Sequence, residues 1–200
     1  MSHEHEYKNF EALRQNEQED VDFSVTARTV AGSTVAIVAP HGGGIEPLTA
    51  ELAESIAGTD HNYYAFNGLK KQGNKVLHIT SHRFDEERAL ILIEPCEKVV
   101  AVHGLAGSAR SVQIGGRDAA LRGRIHEALQ GSGFESTVVT EGAYGGMEPL
   151  NICNRGSTSA GVQLEIQAGL RRLMKEDETK YASFVEAVRS ALLKPPSEFI

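Results

Sequence analysis

Short apolar runs recur along the chain, separated by segments in which apolar and polar residues mix. Runs of about four mostly apolar residues are typical of strands that are buried on both faces of a sheet. Residues 160–167 instead alternate apolar and polar side chains, which indicates a strand with one face toward the core. The predicted strands are residues 35–38, 63–66, 76–79, 99–102, 136–140 and 160–167.

The segments between these strands carry helix signals. Leu48, Leu52 and Ile56 recur at four-residue spacing and form the apolar face of a helix. Pro47 near its first turn and Gly58 beyond its end fit the usual residue preferences at helix termini. Further helices are predicted behind the capping residues Asp85 and Asp118 and over residues 181–192.

Strands that alternate with helices predict the fold class. The expected architecture is α/β, a three-layer sandwich around a central mixed, mostly parallel sheet. A hairpin near residues 76–79 is expected to supply an antiparallel edge. The length of 200 residues suits one domain over residues 1–200, in which residues 1–21 form a helical or irregular lead-in.

Charge and composition exclude several classes of protein. The net charge of −7 argues against nucleic acid as the main partner, because a phosphate backbone attracts a basic surface. No apolar run is long enough to cross a membrane, and the polar N-terminal residues lack the apolar core of a signal peptide. Cys96 and Cys153 are too few for a disulfide framework. We therefore expect a cytoplasmic monomer without a membrane or nucleic-acid partner.

Chemically useful side chains gather at one edge of the predicted sheet. His41 and His103 each follow a buried strand, and Glu165 lies near the end of the last predicted strand, on its polar face. Sites in open α/β sheets lie beyond the carboxyl ends of strands, so we expect these three side chains to meet. Glu46 follows His41 through the glycine loop 42–44, which can turn sharply enough to bring the carboxylate back.

Two histidines and a carboxylate form a catalytic zinc set with one position left for water. On this interpretation His41, Glu46 and His103 bind zinc, and Glu165 remains as a general base. Iron and manganese also suit such a set. Each residue has a simpler interpretation as well. The histidines could be hydrogen-bonded loop residues, Glu46 a favourable charge at a helix N-terminus, and Glu165 a solvated residue of an edge strand.

Six motifs, taken in order, resemble one known family. They are PHGGGIEPLTAELAESIAG, TSHRFDE, VHGLAG, GGRD, NICNRG and GVQLEI. Together they resemble the zinc-dependent poly-γ-glutamate hydrolases of bacteriophages and bacilli, from about residue 22 to the last predicted helix.

This resemblance implies a fold, an activity and a site. The family is similar to zinc carboxypeptidases in fold and metal chemistry, and it hydrolyses the γ-glutamyl amide bonds of poly-γ-glutamate. The resemblance implies zinc as the cofactor, His41, Glu46 and His103 as its ligands, and Glu165 as the general base. We expect cleavage within the polymer, and release by host lysis if a phage encodes the protein. In carboxypeptidases two residues separate the first histidine and glutamate ligands, whereas here four residues do so.

A polymer with one free α-carboxylate per residue needs positive charge near the reacting bond. Arginine pairs with carboxylates through two parallel hydrogen bonds. The proposed substrate-binding residues in predicted loops are Arg155, Arg83, Arg110, Arg117 and His82. Surface arginines also commonly do no more than solvate a loop. His78 lies within an apolar run and is interpreted as a core histidine.

Two other functions remain open at this point. A zinc amidohydrolase of small N-acyl or N-formyl amino acids would keep the metal and change the substrate. A non-catalytic module would bind the polymer tightly, without turnover and without zinc. A preference for long chains over small molecules distinguishes the polymer hydrolase from the first alternative, and turnover distinguishes it from the second.

Overall fold

A seven-stranded sheet forms the centre of the protein in a computed structural model, which describes residues 7–193. The strands are β1 Phe23–Arg28, β2 Val35–Gly43, β3 Asn62–Gly68, β4 Lys98–Leu105, β5 Ser111–Gly115, β6 Glu135–Val138 and β7 Val162–Gln167. Their order across the sheet is β1-β3-β2-β4-β7-β5-β6. The pairs β1–β3 and β5–β7 are antiparallel and the other four pairs are parallel, which confirms the predicted mixed, mostly parallel sheet.

Helices cover both faces of this sheet. They are α1 Phe10–Arg14, α2 Thr49–Ala57, α3 Glu87–Ile93, α4 Ala119–Gly131, α5 Ala168–Glu176 and α6 Glu178–Leu193. Helices α2, α4, α5 and α6 share one buried cluster with the sheet, and α1 and α3 belong to a second cluster on the opposite face. Because β2 and β4 are covered on both sides, their apolar runs are buried almost throughout. None of the helices within residues 7–193 is long and apolar enough to cross a membrane.

Side-chain caps also stand at the starts of α3 and α4, where Asp85 and Asp118 were predicted to cap. Asp118 caps α4 as predicted, and its Oδ1 atom accepts the backbone N–H of Leu121 at 2.9 Å. Helix α3 begins behind Glu86 rather than Asp85, because the Glu86 carboxylate accepts the backbone N–H of Ala89 at 2.9 Å. The Asp85 carboxylate instead accepts a backbone N–H from α1 at 2.7 Å.

Residues 76–79 do not form the predicted strand or hairpin. Gly73, with φ of +81°, starts a 3-10 helix over Asn74–Leu77, and the chain then continues as a loop. Leu77 and Ile79 are fully buried in the same cluster as α1 and α3. Their apolar character therefore reflects the burial of a loop rather than strand pairing. The antiparallel pairs are supplied by β1 and β5, neither of which was predicted.

A bulge in β2 changes the face on which His41 lies. Between Ala39 and Gly42, β2 advances three residues while β3 advances two. Regular alternation would put His41 on the same face as Ala39, toward α2. The extra residue reverses this, and the His41 ring lies against Phe84 on the other face.

The predicted N-terminal lead-in contains α1. Leu13 on this helix is fully buried against the sheet, and the Asn9 side chain caps the helix by accepting the backbone N–H of Ala12 at 3.0 Å. Residues 1–6 of the lead-in lie outside the described residues.

Candidate active site

Three neighbouring strands carry predicted site residues on one face of the sheet. His41 lies on β2, His103 on β4 and Glu165 on β7, and the last two are direct partners in the β4–β7 register. Val102 and Leu164 face the cluster of α2, so alternation turns His103 and Glu165 to the opposite side. All three site residues are buried.

The two histidine rings face each other. His41 Nδ1 lies 3.2 Å from His103 Nδ1. The Nε2 atom of each ring has a different partner. His41 Nε2 lies 2.8 Å from the Ile79 carbonyl oxygen, and His103 Nε2 lies 3.4 Å from Ser81 Oγ. When His41 donates its Nε2–H to the carbonyl, the lone pair of Nδ1 points inward.

Glu46 completes this group. Its Oε1 atom lies 3.2 Å from His41 Nδ1, and its Oε2 atom lies 4.0 Å from His103 Nδ1. Oε2 also accepts the backbone N–H of Gly104 at 2.6 Å, which fixes the carboxylate to the end of β4.

The glycine loop returns Glu46 to His41. The Glu46 N–H donates to the His41 carbonyl at 2.9 Å and closes the turn. Gly43 has φ of +61°, and a Cβ atom there would lie 2.6 Å from the Gly68 carbonyl oxygen. A larger residue therefore does not fit at this position without moving the loop.

The donor atoms of this group fit a divalent cation. Two imidazole nitrogens and a carboxylate oxygen converge from three chain segments, and both imidazoles present Nδ1. Zinc takes such nitrogen and carboxylate ligands in catalytic sites. A carbonyl or hydroxyl oxygen holds the outward nitrogen of each ring, which is how histidine ligands are usually oriented. His41, Glu46 and His103 can therefore hold a metal ion together.

His78 also lies beside this group. Its ring centroid is 3.9 Å from that of His41, and its Nε2 atom is 3.7 Å from Glu46 Oε1. His41, Glu46 and His78 each offer a ligand atom, and these atoms all lie within 4.8 Å of one another. The interpretation of His78 as a core histidine is wrong, because the side chain is 28% exposed and faces the candidate metal site.

Burial and mutual charge set the protonation of the three donors. Burial alone would raise the pKa of Glu46, but the charges of His41 and His103 outweigh it and lower the pKa to about 2. Burial likewise would lower the pKa of His41, but Glu46 outweighs it and the pKa rises. Burial, followed by the charge of His41, lowers the pKa of His103 to about 3. An ionised Glu46 and a neutral His103 are the forms that bind metals.

Glu165 is held by neighbouring amides. Gln163 Nε2 donates to Glu165 Oε1 at 3.3 Å, and Asn151 Nδ2 donates to Gln163 Oε1 at 2.8 Å. Burial, followed by the charge of Glu46, raises the pKa of Glu165 to about 7. A carboxylate with a pKa near neutrality can accept a proton and return it.

Two cavities adjoin these residues. The first, of about 430 Å³, has Glu165 in its wall together with His82, Glu148 and the loop that follows β6. The second, of about 350 Å³, has Glu46 in its wall. Its other lining residues are Ile45, Lys75, His78, Gly104, Ala106, Ala168 and Arg171. A larger groove, of about 780 Å³, lies between α1 and α3 and is lined mainly by carboxylates.

Two predicted arginines lie on either side of β5. Arg110 precedes this strand at the edge where β4 and β7 end. Arg117 follows the strand at the opposite edge, because β5 runs antiparallel to β7. The structure therefore brings Arg110, and not Arg117, to the edge that carries the candidate metal group.

The other two predicted arginines lie on adjoining loops. Arg83 is exposed at the end of the 3-10 helix Ser81–Arg83, and Arg155 donates from Nη1 to the Phe84 carbonyl at 3.4 Å. His82 lines the cavity of Glu165. The four predicted arginines are absent from the described lining of both cavities, whereas Lys75 and Arg171, which were not predicted, line the second.

Comparison with known proteins identifies the family of this chain. Residues 7–187 match the family described as poly-gamma-glutamate hydrolase. Two relatives from Bacillus subtilis are the UPF0714 protein YndL, 38% identical over 83% of the chain, and the SPbeta prophage-derived protein YoqZ, 37% identical over 84%. The chain spans 65% and 61% of the lengths of these two relatives, less than two thirds of each.

Solved structures give the same result. A bacteriophage poly-gamma-glutamate hydrolase matches with a TM-score of 0.88 and 31% identity, over 93% of this chain and 95% of that one. Zinc-free apo YndL matches with a TM-score of 0.87 and 33% identity, over 98% and 100% of the two chains. An N-formylglutamate amidohydrolase from Ralstonia eutropha shares the fold alone, with a TM-score of 0.55 and 11% identity over 86% and 96% of the chains.

Proposed function

Because the chain belongs to the poly-gamma-glutamate hydrolase family, we propose that it hydrolyses γ-glutamyl amide bonds of poly-γ-glutamate in a zinc-dependent reaction. The observation that carries the proposal is the convergence of His41 Nδ1, His103 Nδ1 and the Glu46 carboxylate on the sheet face that also carries Glu165. An acidic substrate requires positive charge to be concentrated near the reacting bond, since the whole chain has a net charge of −7.

His41, Glu46 and His103 are the proposed zinc ligands. The zinc-free form of YndL, a protein with the same fold and 33% identity, supports zinc as the metal. A zinc ion bound here supplies Lewis-acid catalysis at the amide carbonyl. The protein contributes a preformed donor set, in which Gly104 orients the Glu46 carboxylate and Ile79 orients the His41 ring.

Glu165 is the proposed general base. It takes a proton from the attacking water and returns it to the nitrogen that leaves when the amide bond breaks. Its pKa of about 7 allows both steps near neutral pH. Gln163 holds one oxygen of this carboxylate, and Glu165 lines the first cavity.

The two cavities are the proposed path of the polymer on either side of the reacting bond. His82 lines the first cavity, and Lys75 contributes an exposed cation to the second. Arg83, Arg110, Arg117 and Arg155 remain proposed contacts for carboxylates farther along the chain. The acidic groove between α1 and α3 would repel this polyanion, despite its larger volume.

Lys75→Glu is expected to raise the KM for poly-γ-glutamate about 3–10-fold and to leave kcat within about twofold, because an exposed charge pair contributes roughly 0.2–1 kcal/mol and reversal adds repulsion. Steady-state kinetics at two salt concentrations measure this, since high salt should shrink the difference. Lys71→Glu is the matched control, because Lys71 is also exposed and lies outside the lining of both cavities. Equal KM values for the two variants would contradict the role of Lys75.

Removal of zinc by a chelator is expected to stop the shortening of poly-γ-glutamate, and added zinc should restore it. Viscosity and chain length of high-molecular-weight polymer over time measure the effect, and the unfolding temperature of the treated protein shows that the fold persists. Early loss of viscosity before monomer appears would support internal cleavage. No shortening by zinc-loaded protein would contradict the proposal and favour small N-acyl or N-formyl amino acids. Tight, zinc-independent binding without turnover would identify a binding module.

A further inference from the structure

Arg171 is a buried cation that the proposed reaction does not use. It lies on α5, and only 8% of its surface is exposed. Its guanidinium donates to three backbone carbonyls: from Nε to Ile166 at 3.0 Å, from Nη1 to Pro47 at 2.5 Å and from Nη2 to Leu105 at 3.4 Å. A planar guanidinium with donors in fixed directions can serve three acceptors at once, which an ammonium on a flexible stem cannot do in the same geometry.

Each of these carbonyls lies next to a residue of the candidate site. Pro47 directly follows Glu46, and Ile166 directly follows Glu165. Leu105 stands two residues after His103, at the end of β4. Arg171 therefore joins the loop after β2 to the ends of β4 and β7.

The guanidinium also lies against the backbone that orients Glu46. A Cβ atom built on Gly104 would lie 2.7 Å from Arg171 Cζ and 2.9 Å from Glu46 Cβ. Gly104 is the residue whose N–H donates to Glu46 Oε2 at 2.6 Å. Arg171 and Glu46 therefore both pack against residue 104, and only glycine fits at that position.

We propose that Arg171 is a positioning residue that holds Glu46, His103 and Glu165 in one arrangement by fixing the three backbone segments that carry them. The inference rests on the proposed zinc site and deepens it. Loss of the Arg171 guanidinium leaves three carbonyls without their donor and lets the Glu46 loop move relative to β4. Groups that orient metal ligands typically change metal affinity or activity about 10–100-fold when they are removed.

Arg171→Lys is expected to fold, to raise the dissociation constant for zinc about 10–100-fold and to lower kcat at saturating zinc, with KM for the polymer changed less than about threefold. Competition with a chromophoric chelator measures the zinc affinity, and circular dichroism with thermal unfolding measures the fold. Arg172→Lys is the matched control, because Arg172 is the exposed neighbour on α5.

A second variant, Gly104→Ala, adds a methyl group that crowds Arg171 and Glu46 without removing the cation. It should also raise the dissociation constant for zinc. Gly123→Ala is its control, since a Cβ atom at Gly123 meets nothing within 4 Å.

These measurements separate the inference from the proposed function. Wild-type zinc affinity and kcat in Arg171→Lys, together with a lower unfolding temperature, would overturn the positioning role and reduce Arg171 to a structural residue. The polymer-hydrolysis proposal would still stand in that case. Wild-type protein that binds zinc but leaves the polymer intact would overturn the proposed function, while the zinc affinities of the variants would still decide the role of Arg171. Wild-type protein without affinity for zinc would overturn the inference as well.

Discussion

Glu165→Gln is expected to lower kcat for poly-γ-glutamate about 10²–10⁴-fold, the usual contribution of a general base, while zinc affinity stays within about threefold. Glutamine keeps the size of the side chain and can still accept the hydrogen bond from Gln163. It cannot take a proton from water, so the loss should appear in kcat rather than in KM. Initial rates of polymer shortening and a zinc competition titration on the same preparation measure both quantities.

Glu148→Gln is the matched control for this experiment. Glu148 lines the same cavity as Glu165, but its side chain is exposed whereas Glu165 is buried. We expect near wild-type kcat for this variant. If Glu148→Gln lost activity and Glu165→Gln retained it, the general base would be Glu148 and the assignment made here would be wrong.

The fold could be predicted where one pattern dominates a segment. The apolar runs of β2 and β4 are buried on both faces, and the Asp118 cap of α4 is a local signal that the chain carries in full. Strands β1 and β5 escaped prediction because they lie near the ends of the sheet order and their side chains are only partly buried. The run at 76–79 was misassigned because burial in a loop and burial in a strand select the same apolar residues.

The location of the site could be predicted for a similar reason. His41, His103 and Glu165 were expected at one edge because each stands near the end of a predicted strand. The structure adds that these three strands are neighbours in the sheet. The bulge that turns His41 toward His103 depends on pairing with β3, and Pro40 and Gly42 beside His41 indicate an irregular strand without fixing its register. His78 and Arg171 reach Glu46 from distant segments, so their contribution follows from tertiary contacts alone.

The direction of β5 determines which of the two predicted arginines beside it lies near the candidate metal group. Arg110 and Arg117 flank β5, and the sequence gives no sign that β5 runs against β7. Once that direction is known, only Arg110 lies at the edge of the candidate metal group. The positions of loop arginines are therefore harder to predict than those of side chains at strand ends, because they depend on the direction of the neighbouring strand.

His103→Ala is expected to raise the dissociation constant for zinc about 10²–10³-fold, whereas His78→Ala should raise it less than about tenfold. Structural zinc sites with four ligands bind with roughly 10–16 kcal/mol, or about 2.5–4 kcal/mol for each ligand, and this sets the first figure. His103 is buried, and its Nδ1 atom lies 3.2 Å from that of His41. His78 is 28% exposed, so it is less shielded from water than His103, and we expect a weaker contribution to metal binding.

Both variants are needed because the distances to Glu46 do not distinguish His103 from His78 as the third zinc ligand. His103 Nδ1 lies 4.0 Å from one carboxylate oxygen, and His78 Nε2 lies 3.7 Å from the other. Chelator competition on both variants, with unfolding temperature as the check on folding, therefore assigns the third ligand. If His78→Ala lost zinc and His103→Ala kept it, the metal would be held by His41, Glu46 and His78, and the site would open toward the cavity that contains Lys75 rather than toward Glu165. In that event the assignment of His103 as a zinc ligand would be wrong.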